Sequence, residues 1–412
     1  MSLEHLPLEL ALQIVSDGCL KPQDLASLAR VSKCLNQVAT ACLYQDVRLK
    51  DYESEALQLF YRSITETPAL TKFTRTATIK VDERSDVHRV GEVVVKLHSI
   101  ERLKLVLDGN VDFGFVLDKA ALPKLGSLHI ENDNVTFDDL VNFIQLPMIK
   151  SLTVGKSLGE ECSKIPPSAP PPKIEHRSSL ESFKIHITND FSSELDILLA
   201  CCPKLKSFVC KISGGSFYDP YISSSRFPQV LSRCRDTLHI LQLDSDRITE
   251  NIDDETFADL SCLRNLKTLE ASIEILFEWE GRDKPAARKG LHTRLPSSLE
   301  TLKINIPKGF AFRSSFRSND DGTPERGFAD ENLAWVVEIA ENKRAHLPNL
   351  SFVRIHEAWQ RTCLPISTAP VLCDPPPAIE AAFRDAGVGI ELYLRPHIPS
   401  YREFYSRYKN IS

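Results

Sequence analysis

The residues whose types and spacing could do chemistry occupy one position of a repeated apolar pattern, and most of them are basic or neutral. In chain order that position holds Lys80, Lys104, His129, Thr153, Lys184, Val209, Gln242, Glu270, Lys303 and Arg354. Clustered cations bind acidic or phosphorylated segments through charge-assisted hydrogen bonds. We therefore predict that a protein client, acidic or phosphorylated, contacts Lys104, His129, Lys184, Lys303 and Arg354. The alternative is that lysine is simply common at exposed strand positions.

Patterns typical of catalysis are missing from the sequence. It has no G-x-S-x-G elbow, no G-x-x-x-x-G-K-[ST] loop and no His-Glu-x-x-His helix. The pair Asp138-Asp139 stands beside a helical pattern, where carboxylates cap helices or face solvent. His129, His186 and His356 fall in different repeats, so their spacing does not indicate a metal site. We predict no catalytic, cofactor-binding or metal-binding residues.

The composition argues against several classes of site and partner. The eleven cysteines are scattered and include no pair of CxxC elements, which argues against disulfides or structural zinc. A net charge of −6 and a pI near 6.0 disfavour nucleic-acid binding through the overall field. No apolar run reaches the length of a membrane span, and the N-terminus lacks the layout of a secretory signal. These features predict a cytoplasmic or nuclear protein, or both, with no membrane or nucleic-acid partner.

An internal repeat positions the cations. The apolar triplet L-x-x-L-x-L and its variants recur with central residues about 24 to 33 apart, and one gap is about 50 residues long. The copies are Ile100-Leu103-Leu105, Leu125-Leu128-Ile130, Ile149-Leu152-Val154, Leu180-Phe183-Ile185, Leu205-Phe208-Cys210, Leu238-Leu241-Leu243, Leu266-Leu269-Ala271, Leu299-Leu302-Ile304 and Leu350-Val353-Ile355, with weaker ends at Ile79-Val81 and Leu392-Leu394.

Alternation within each triplet predicts a short strand with one apolar face. Segments between the triplets, such as 137–144, have helical spacing. We therefore predict an α/β fold in which the repeats form a curved leucine-rich-repeat solenoid with a parallel sheet on its concave face. The residues between the apolar positions would line that face.

The N-terminal segment 3–49 has a different pattern, that of three short helices. Leu6, Leu10 and Ile14 recur at helical spacing. Pro22 suits the first position of a second helix, and Ser32 suits the N-cap of a third. Helices this short bury little surface among themselves, so leftover apolar surface is expected.

This segment resembles an F-box. The match consists of Leu6-Pro7-x-Glu9-Leu10 at its start, Asp24-Leu25 in the middle and Val31-Ser32-Lys33 near its end, while residues 43–49 resemble the tail common in fungal members. The resemblance implies docking on the S-phase-kinase-associated adaptor of a cullin RING ubiquitin ligase. The adaptor-binding residues that it implies are Leu6, Pro7, Glu9, Leu10, Ile14, Leu25, Leu28 and Val31.

The two patterns divide the chain. We predict an adaptor-docking module at 1–50, a linking helix at 51–72 and a leucine-rich-repeat domain at 73–412, with long loops at 156–178 and 308–330. The first loop is proline-rich, which fits either a proline-reader ligand or a tolerated insertion. The second carries Phe312 and Phe316 beside arginines, which fits either client binding or plain disorder.

The C-terminal aromatic stripe has two interpretations. Tyr401, Phe404, Tyr405 and Tyr408 alternate with basic residues. Such a stripe can contact nucleic acid, but a terminal repeat also needs a helix to cover its apolar end, and we favour that capping role.

Three functions agree with the sequence. The first is a non-catalytic, substrate-recruiting subunit of an SCF-type ubiquitin ligase. The second is a scaffold or transport adaptor that uses the same adaptor contact without ubiquitin transfer. The third is a repeat protein whose N-terminal helices are only a cap.

Overall fold

A computed structural model of the chain describes most of the repeats and part of the N-terminal segment. The described residues are 10, 13, 15, 20–49, 55–81, 84–109, 111–117, 122–158, 178–187, 192–212, 227–245, 258–277, 288–306, 330–357 and 370–394. They belong to two compact units, which consist of 1–186 with 200–204, and of 187–199 with 205–412.

Strands and helices alternate along the chain, as the repeat predicts. The thirteen described strands are β1 Asp46–Leu49, β2 Thr76–Val81, β3 Arg102–Leu107, β4 Ser127–Glu131, β5 Ser151–Leu158, β6 Ser182–Ile187, β7 Ser207–Ile212, β8 Ile240–Ser245, β9 Thr268–Ser272, β10 Thr301–Ile306, β11 Phe352–Glu357, β12 Val371–Cys373 and β13 Gly389–Leu394. The helices are α1 Pro22–Leu28, α2 Lys33–Gln45, α3 Glu55–Glu66, α4 Arg84–Lys96, α5 Gly114–Leu117, α6 Phe137–Ile144, α7 Ser192–Ala200, α8 Phe227–Leu231, α9 Ile273–Leu276, α10 Leu291–Arg294, α11 Asp330–Glu341, α12 Lys343–His346 and α13 Pro377–Ala386.

In the first unit the repeat strands stack in parallel. Strands β1 to β6 are neighbours in chain order, and β1 to β5 pair with one another in parallel. The register aligns equivalent apolar residues, so that Leu103, Leu128 and Leu152 lie side by side and are buried. Because each strand buries every second side chain, the intervening residues are left on the opposite face.

The second unit continues the same pattern. Strands β7 to β11 are neighbours in chain order, β13 pairs in parallel with β11, and β12 pairs antiparallel with β13. Leu302 pairs directly with Val353 across the long gap between repeats. The described part of that gap adds two helices, α11 and α12, rather than a strand.

Helix α6 shows how the segments between strands are fixed. Thr136 caps it: the backbone N–H of Asp139 donates to Thr136 Oγ1 (3.2 Å), and the Thr136 backbone N–H donates to Asp139 Oδ2 (2.9 Å). The apolar face of the helix is buried, with the Phe143 ring edge-on to Phe113 at 5.5 Å. The carboxylate of Asp139 therefore has a capping role.

The predicted α/β class, with N-terminal helices followed by parallel repeat strands, is confirmed. The predicted loop 156–178 begins too early, because β5 runs to Leu158. The rest of that loop up to residue 177, the loop residues 308–329 with Phe312 and Phe316, and the C-terminal stripe lie outside the described residues.

Candidate functional site

The helices of the N-terminal segment begin where the sequence places them. Pro22 is the first residue of α1, where its missing N–H costs nothing, and the Lys21 backbone N–H donates to Asp24 Oδ2 at 2.9 Å. Ser32 caps α2, its Oγ accepting from the Leu35 backbone N–H at 3.3 Å. Both predicted helix starts are confirmed.

A small apolar cluster holds these helices together. Val15, Leu25 and Val38 are buried in it, and Leu28 packs against it half-buried. Leu25, a predicted adaptor-binding residue, is therefore a core residue that packs α1 against the cluster. Truncating such a buried side chain typically costs about 2 to 5 kcal/mol.

Other apolar residues of the segment face solvent. Leu10 is 47% exposed and Val31 63% exposed, both among the predicted adaptor-binding residues. Leu20, which the sequence analysis did not single out, is 37% exposed. The predicted residues Leu6, Pro7, Glu9 and Ile14 lie outside the described part of the chain. The described residues thus include exposed apolar surface on the module, as expected from its size.

The module is joined to the repeats by a strand that the sequence analysis missed. Strand β1, at the end of the predicted module, pairs in parallel with β2. Val47 and Leu49 are its buried residues, and the Tyr44 ring stacks on Phe60 of α3 at 6.1 Å. The apolar alternation of Val47 and Leu49 was the available signal, but four residues are too few to identify a strand reliably.

The exposed row of the first unit differs from the predicted one in its first two members, Arg48 and Thr78. The register places Arg48, Thr78, Lys104, His129 and Thr153 side by side across β1 to β5. The prediction had Lys80 instead of Thr78, which is wrong because Lys80 pairs with Val106. The weaker copy Ile79-Val81 lacks the first apolar residue of the triplet, so the sequence did not determine the register of this strand.

Lys184 adds a further cation to this row. Strand β6 neighbours β5, and the Ser182 backbone N–H donates to Lys150 O (2.9 Å) as that of Ser151 does to Gly126 O (3.0 Å). This equivalence puts Lys184 beside Thr153. The side chain of Lys184 is exposed, and no ion pair to it is found among the described residues.

A carboxylate that the sequence analysis overlooked lies among the cations of the first unit. Glu131 Oε1 is 2.6 Å from Lys104 Nζ and 2.9 Å from His129 Nε2. The hydrogen bond from Lys104 lowers the pKa of Glu131 below its ordinary value. Burial, and then the charge of Lys104, lowers the pKa of His129, with the bond to Glu131 opposing this. At neutral pH, Glu131 is therefore ionised and His129 is neutral.

In the second unit the predicted cations are paired with carboxylates on neighbouring strands. Lys303 Nζ lies 3.6 Å from Glu270 Oε2, and Glu270 Oε1 also accepts from Gln242 (3.3 Å) and Asn305 (3.1 Å). Arg354 donates through Nε (2.9 Å) and Nη2 (2.7 Å) to Glu391 Oε2. This half of the row is a network of opposite charges.

Aromatic rings also hold Arg354 in place. Its guanidinium carbon lies 5.5 Å from the Phe352 ring centre and 5.3 Å from that of Tyr393. A guanidinium over ring faces gains a further electrostatic attraction. Phe352 and Tyr393 were not predicted as site residues, although each stands two positions from a row residue on its strand.

Comparison with known proteins decides the nature of the N-terminal module. The F-box-like family model matches residues 3–50. The chain carries an F-box-like domain. Its position agrees with the predicted module, and the described repeats follow it as parallel strands. The closer assignment to the fungal type stays a prediction.

Solved structures similar to the chain include repeat proteins. The leucine-rich repeat-containing protein LegL7 from Legionella pneumophila is 13% identical, with 85% of this chain and 92% of that chain covered and a TM-score of 0.42. The yeast Rad7 and Elc1 complex gives 14% identity, coverage of 87% and 91%, and a TM-score of 0.33. No curated protein matches the sequence significantly.

The described residues offer no metal site, no membrane-spanning helix and, at two buried cysteines, no reactive thiol. No group of three or more His, Cys, Asp and Glu residues there could hold a metal ion. No described helix is both long and apolar enough to cross a membrane. Burial raises the pKa of the Cys210 thiol to about 12 and that of Cys234 to about 11, which keeps both protonated and poorly nucleophilic.

Proposed function

We propose that the chain is the substrate-recruiting subunit of an SCF-type cullin RING ubiquitin ligase. The observation that carries this proposal is the F-box-like domain at 3–50, whose described helices leave Leu10, Leu20 and Val31 exposed. Exposed apolar side chains on so small a module are suited to a partner that covers them. That partner would be the S-phase-kinase-associated adaptor, and through it the cullin RING core.

The chain would contribute proximity rather than catalysis. F-box proteins typically supply no reactive group, and ubiquitin transfer would take place in the partners. The β1–β2 pairing makes the F-box-like domain continuous with the first repeat strands. A client held on those strands would be kept at high effective concentration near the ligase.

We further propose that the client is a protein bound on the exposed row. The proposed contact residues are Lys104, His129, Lys184, Lys303 and Arg354, with Phe312 and Phe316 from the second loop. Both halves of the row carry cations, although those of the second unit are already paired. An acidic or phosphorylated client, met in the cytoplasm or nucleus, would complement the first unit, whose outward positions with described exposure hold more cations than carboxylates.

Affinity purification tests the docking step. A tagged chain expressed in cells should retain the adaptor and the cullin. Val31→Asp, alone and with Leu10→Asp, should reduce the recovered adaptor at least about tenfold, because an ionised side chain in a desolvated apolar contact costs several kcal/mol. Val371→Asp is the matched control, since Val371 is 50% exposed on β12, outside the F-box-like domain.

The outcomes separate the competing functions. Adaptor recovered with cullin supports the ligase subunit, whereas adaptor without cullin supports the scaffold or transport adaptor. Adaptor recovery that survives Val31→Asp with Leu10→Asp, or no recovery from the unaltered chain, contradicts docking through this surface. Circular dichroism of each variant verifies that the change has not unfolded the chain.

A further inference from the structure

We propose that Lys104, His129 and Lys184 form a subsite for an anionic side chain of a peptide, and that the Glu131 carboxylate occupies it as an internal stand-in. This inference rests on the proposed function, because it deepens the assignment of the exposed row as the client surface. In the free chain Glu131 would compete with the client, and binding would require its side chain to swing away.

The geometry of Glu131 is that of a bound ligand. A single carboxylate oxygen, Oε1, is within hydrogen-bonding distance of both Lys104 Nζ and His129 Nε2. These donors come from adjacent strands, while Glu131 comes from the next outward position of β4, so its side chain must fold back along the strand. The two donors are therefore arranged around one anionic oxygen, as they would be around an oxygen of a client carboxylate or phosphate.

Gly155 has no side chain, and the Glu131 side chain occupies the space beside it. A Cβ atom added at Gly155 would be 2.9 Å from Glu131 Cγ and 3.4 Å from His129 Nε2. The first distance is too short for two carbon atoms in contact. Any other residue at this position would move Glu131, so the glycine permits the folded-back conformation.

The surroundings favour an anion that carries more charge than one carboxylate. The outward strand positions of the first unit with described exposure hold five cations and two carboxylates, namely Arg48, Lys80, Arg102, Lys104 and Lys184 against Asp46 and Glu131. Lys184 is close enough to His129 to lower its pKa. With Glu131 displaced, the Thr153 hydroxyl between His129 and Lys184 could also donate.

A peptide fits this surface better than a nucleic acid. Single-stranded nucleic acids are bound by basic grooves combined with aromatic side chains on which the bases stack. The outward positions of β1 to β6 with described exposure include no phenylalanine, tyrosine or tryptophan. The site therefore offers charge and hydrogen bonds without a stacking platform.

Peptide titrations of the purified full-length chain test the subsite. The probes are fluorescein-labelled decapeptides of one scaffold containing two phosphoserines, two glutamates or two serines, and a labelled RNA decamer of mixed sequence. We expect Glu131→Gln to tighten binding of the phosphoserine or glutamate peptide by roughly 3- to 10-fold, because it removes a competing charge. Glu300→Gln is the matched control and should change binding less than twofold, because Glu300 pairs with Lys267 (2.9 Å) and neither residue is a proposed client contact.

Gly155→Ala provides a second variant that leaves every charged residue in place. It should also tighten anionic-peptide binding, because the new methyl group displaces Glu131. Lys104→Gln with Lys184→Gln should weaken binding about tenfold relative to the unaltered chain. Thermal unfolding of each variant, followed by circular dichroism, separates lost binding from lost folding.

Several results would overturn the subsite. These are unchanged or weaker anionic-peptide binding in Glu131→Gln, equal binding of the serine peptide, or RNA bound more tightly than any peptide. The phosphoserine and glutamate arms distinguish the source of the anion. The titration contains no adaptor, so a negative titration would contradict the subsite and leave adaptor docking unaffected. Failure to recover the adaptor, together with a positive titration, would contradict only the ligase assignment.

Discussion

The exposed strand positions of the two units differ in charge although the buried ones are alike. In both units leucine, isoleucine, valine and phenylalanine fill the buried positions. The outward positions of the first unit with described exposure carry five cations and two carboxylates. Those of the second carry three of each, namely Lys211, Lys303 and Arg354 with Asp244, Glu270 and Glu391. The same repeat architecture thus presents a basic surface in one unit and a balanced one in the other.

This difference has little to do with stability. The side chains of Lys303, Glu270, Arg354 and Glu391 are a quarter to a third exposed. Ion pairs in such partly solvated positions contribute on the order of 0 to 1 kcal/mol each. Their larger effect is to cancel the electric field above the sheet of the second unit. What distinguishes the units is therefore which ligands each can attract.

The largest effect should come from a change in the apolar core, which is built from the same types of residue in each unit. Phe143→Ala in the first unit should lower the free energy of unfolding by about 3 to 5 kcal/mol, because its ring is fully buried against Phe113. Denaturant unfolding followed by circular dichroism measures this. An unchanged midpoint would contradict its place in the core.

Tryptophan fluorescence lets this experiment compare the units. Trp335 is buried in the second unit, so its fluorescence reports on that unit. Since repeat arrays are stabilised by their neighbours, we expect the fluorescence midpoint of Phe143→Ala to fall as well. A fluorescence midpoint that stays fixed would show two independent folding units.

Charge reversal in each unit tests the difference between their surfaces. Lys104→Glu with Lys184→Glu should abolish capture of the phosphoserine peptide, with a loss of at least about tenfold, since it turns the basic surface acidic. Lys303→Glu with Arg354→Glu should weaken capture less, by under about threefold, because the outward cations and carboxylates of the second unit are equal in number. Fluorescence anisotropy measures both. Equal losses in the two double variants would mean that the client surface extends over both units.

The smallest effect concerns pH and the buried histidine of the second unit. Burial lowers the pKa of His292, with Glu338 opposing this shift. The unfolded chain therefore binds the proton more readily, and stability should be lost as pH falls through the ordinary histidine value of about 6.5. Denaturant midpoints at about pH 7.5 and pH 5.5 should differ less in His292→Gln than in the unaltered chain.

A partly buried histidine of the first unit, His129, also contributes to the pH dependence of stability. His129→Gln should flatten it in the same direction as His292→Gln, because burial and Lys104 lower the pKa of His129 as well. A steeper pH dependence in either buried variant would contradict the assigned protonation states.

Much of the fold was predictable because it depends on local patterns. The triplets identified the strands β3 to β11, since alternate burial has a period of two residues that is readable in sequence. Pro22 and Ser32 marked helix starts through backbone chemistry that acts within four residues. Strand β1 was missed because its signal is only four residues long.

The candidate site was predictable only in part. The sequence by itself determined which residues alternate outward, and so identified Lys104, His129 and Lys184 as members of one exposed row. It also determined the F-box-like pattern at 3–50, which the family comparison confirms. These are properties of spacing along the chain.

Only the tertiary structure decided which charges are free and which are satisfied. Glu131 contacts Lys104, and Glu391 contacts Arg354, across separations of 27 and 37 residues in sequence. Both contacts depend on the register between strands and on the direction of the side chains. Leu25 and Val31 look alike in an apolar pattern, yet packing buries the first and exposes the second. Electrostatic pairing and burial are set by neighbours in space, and the chain order does not contain those distances.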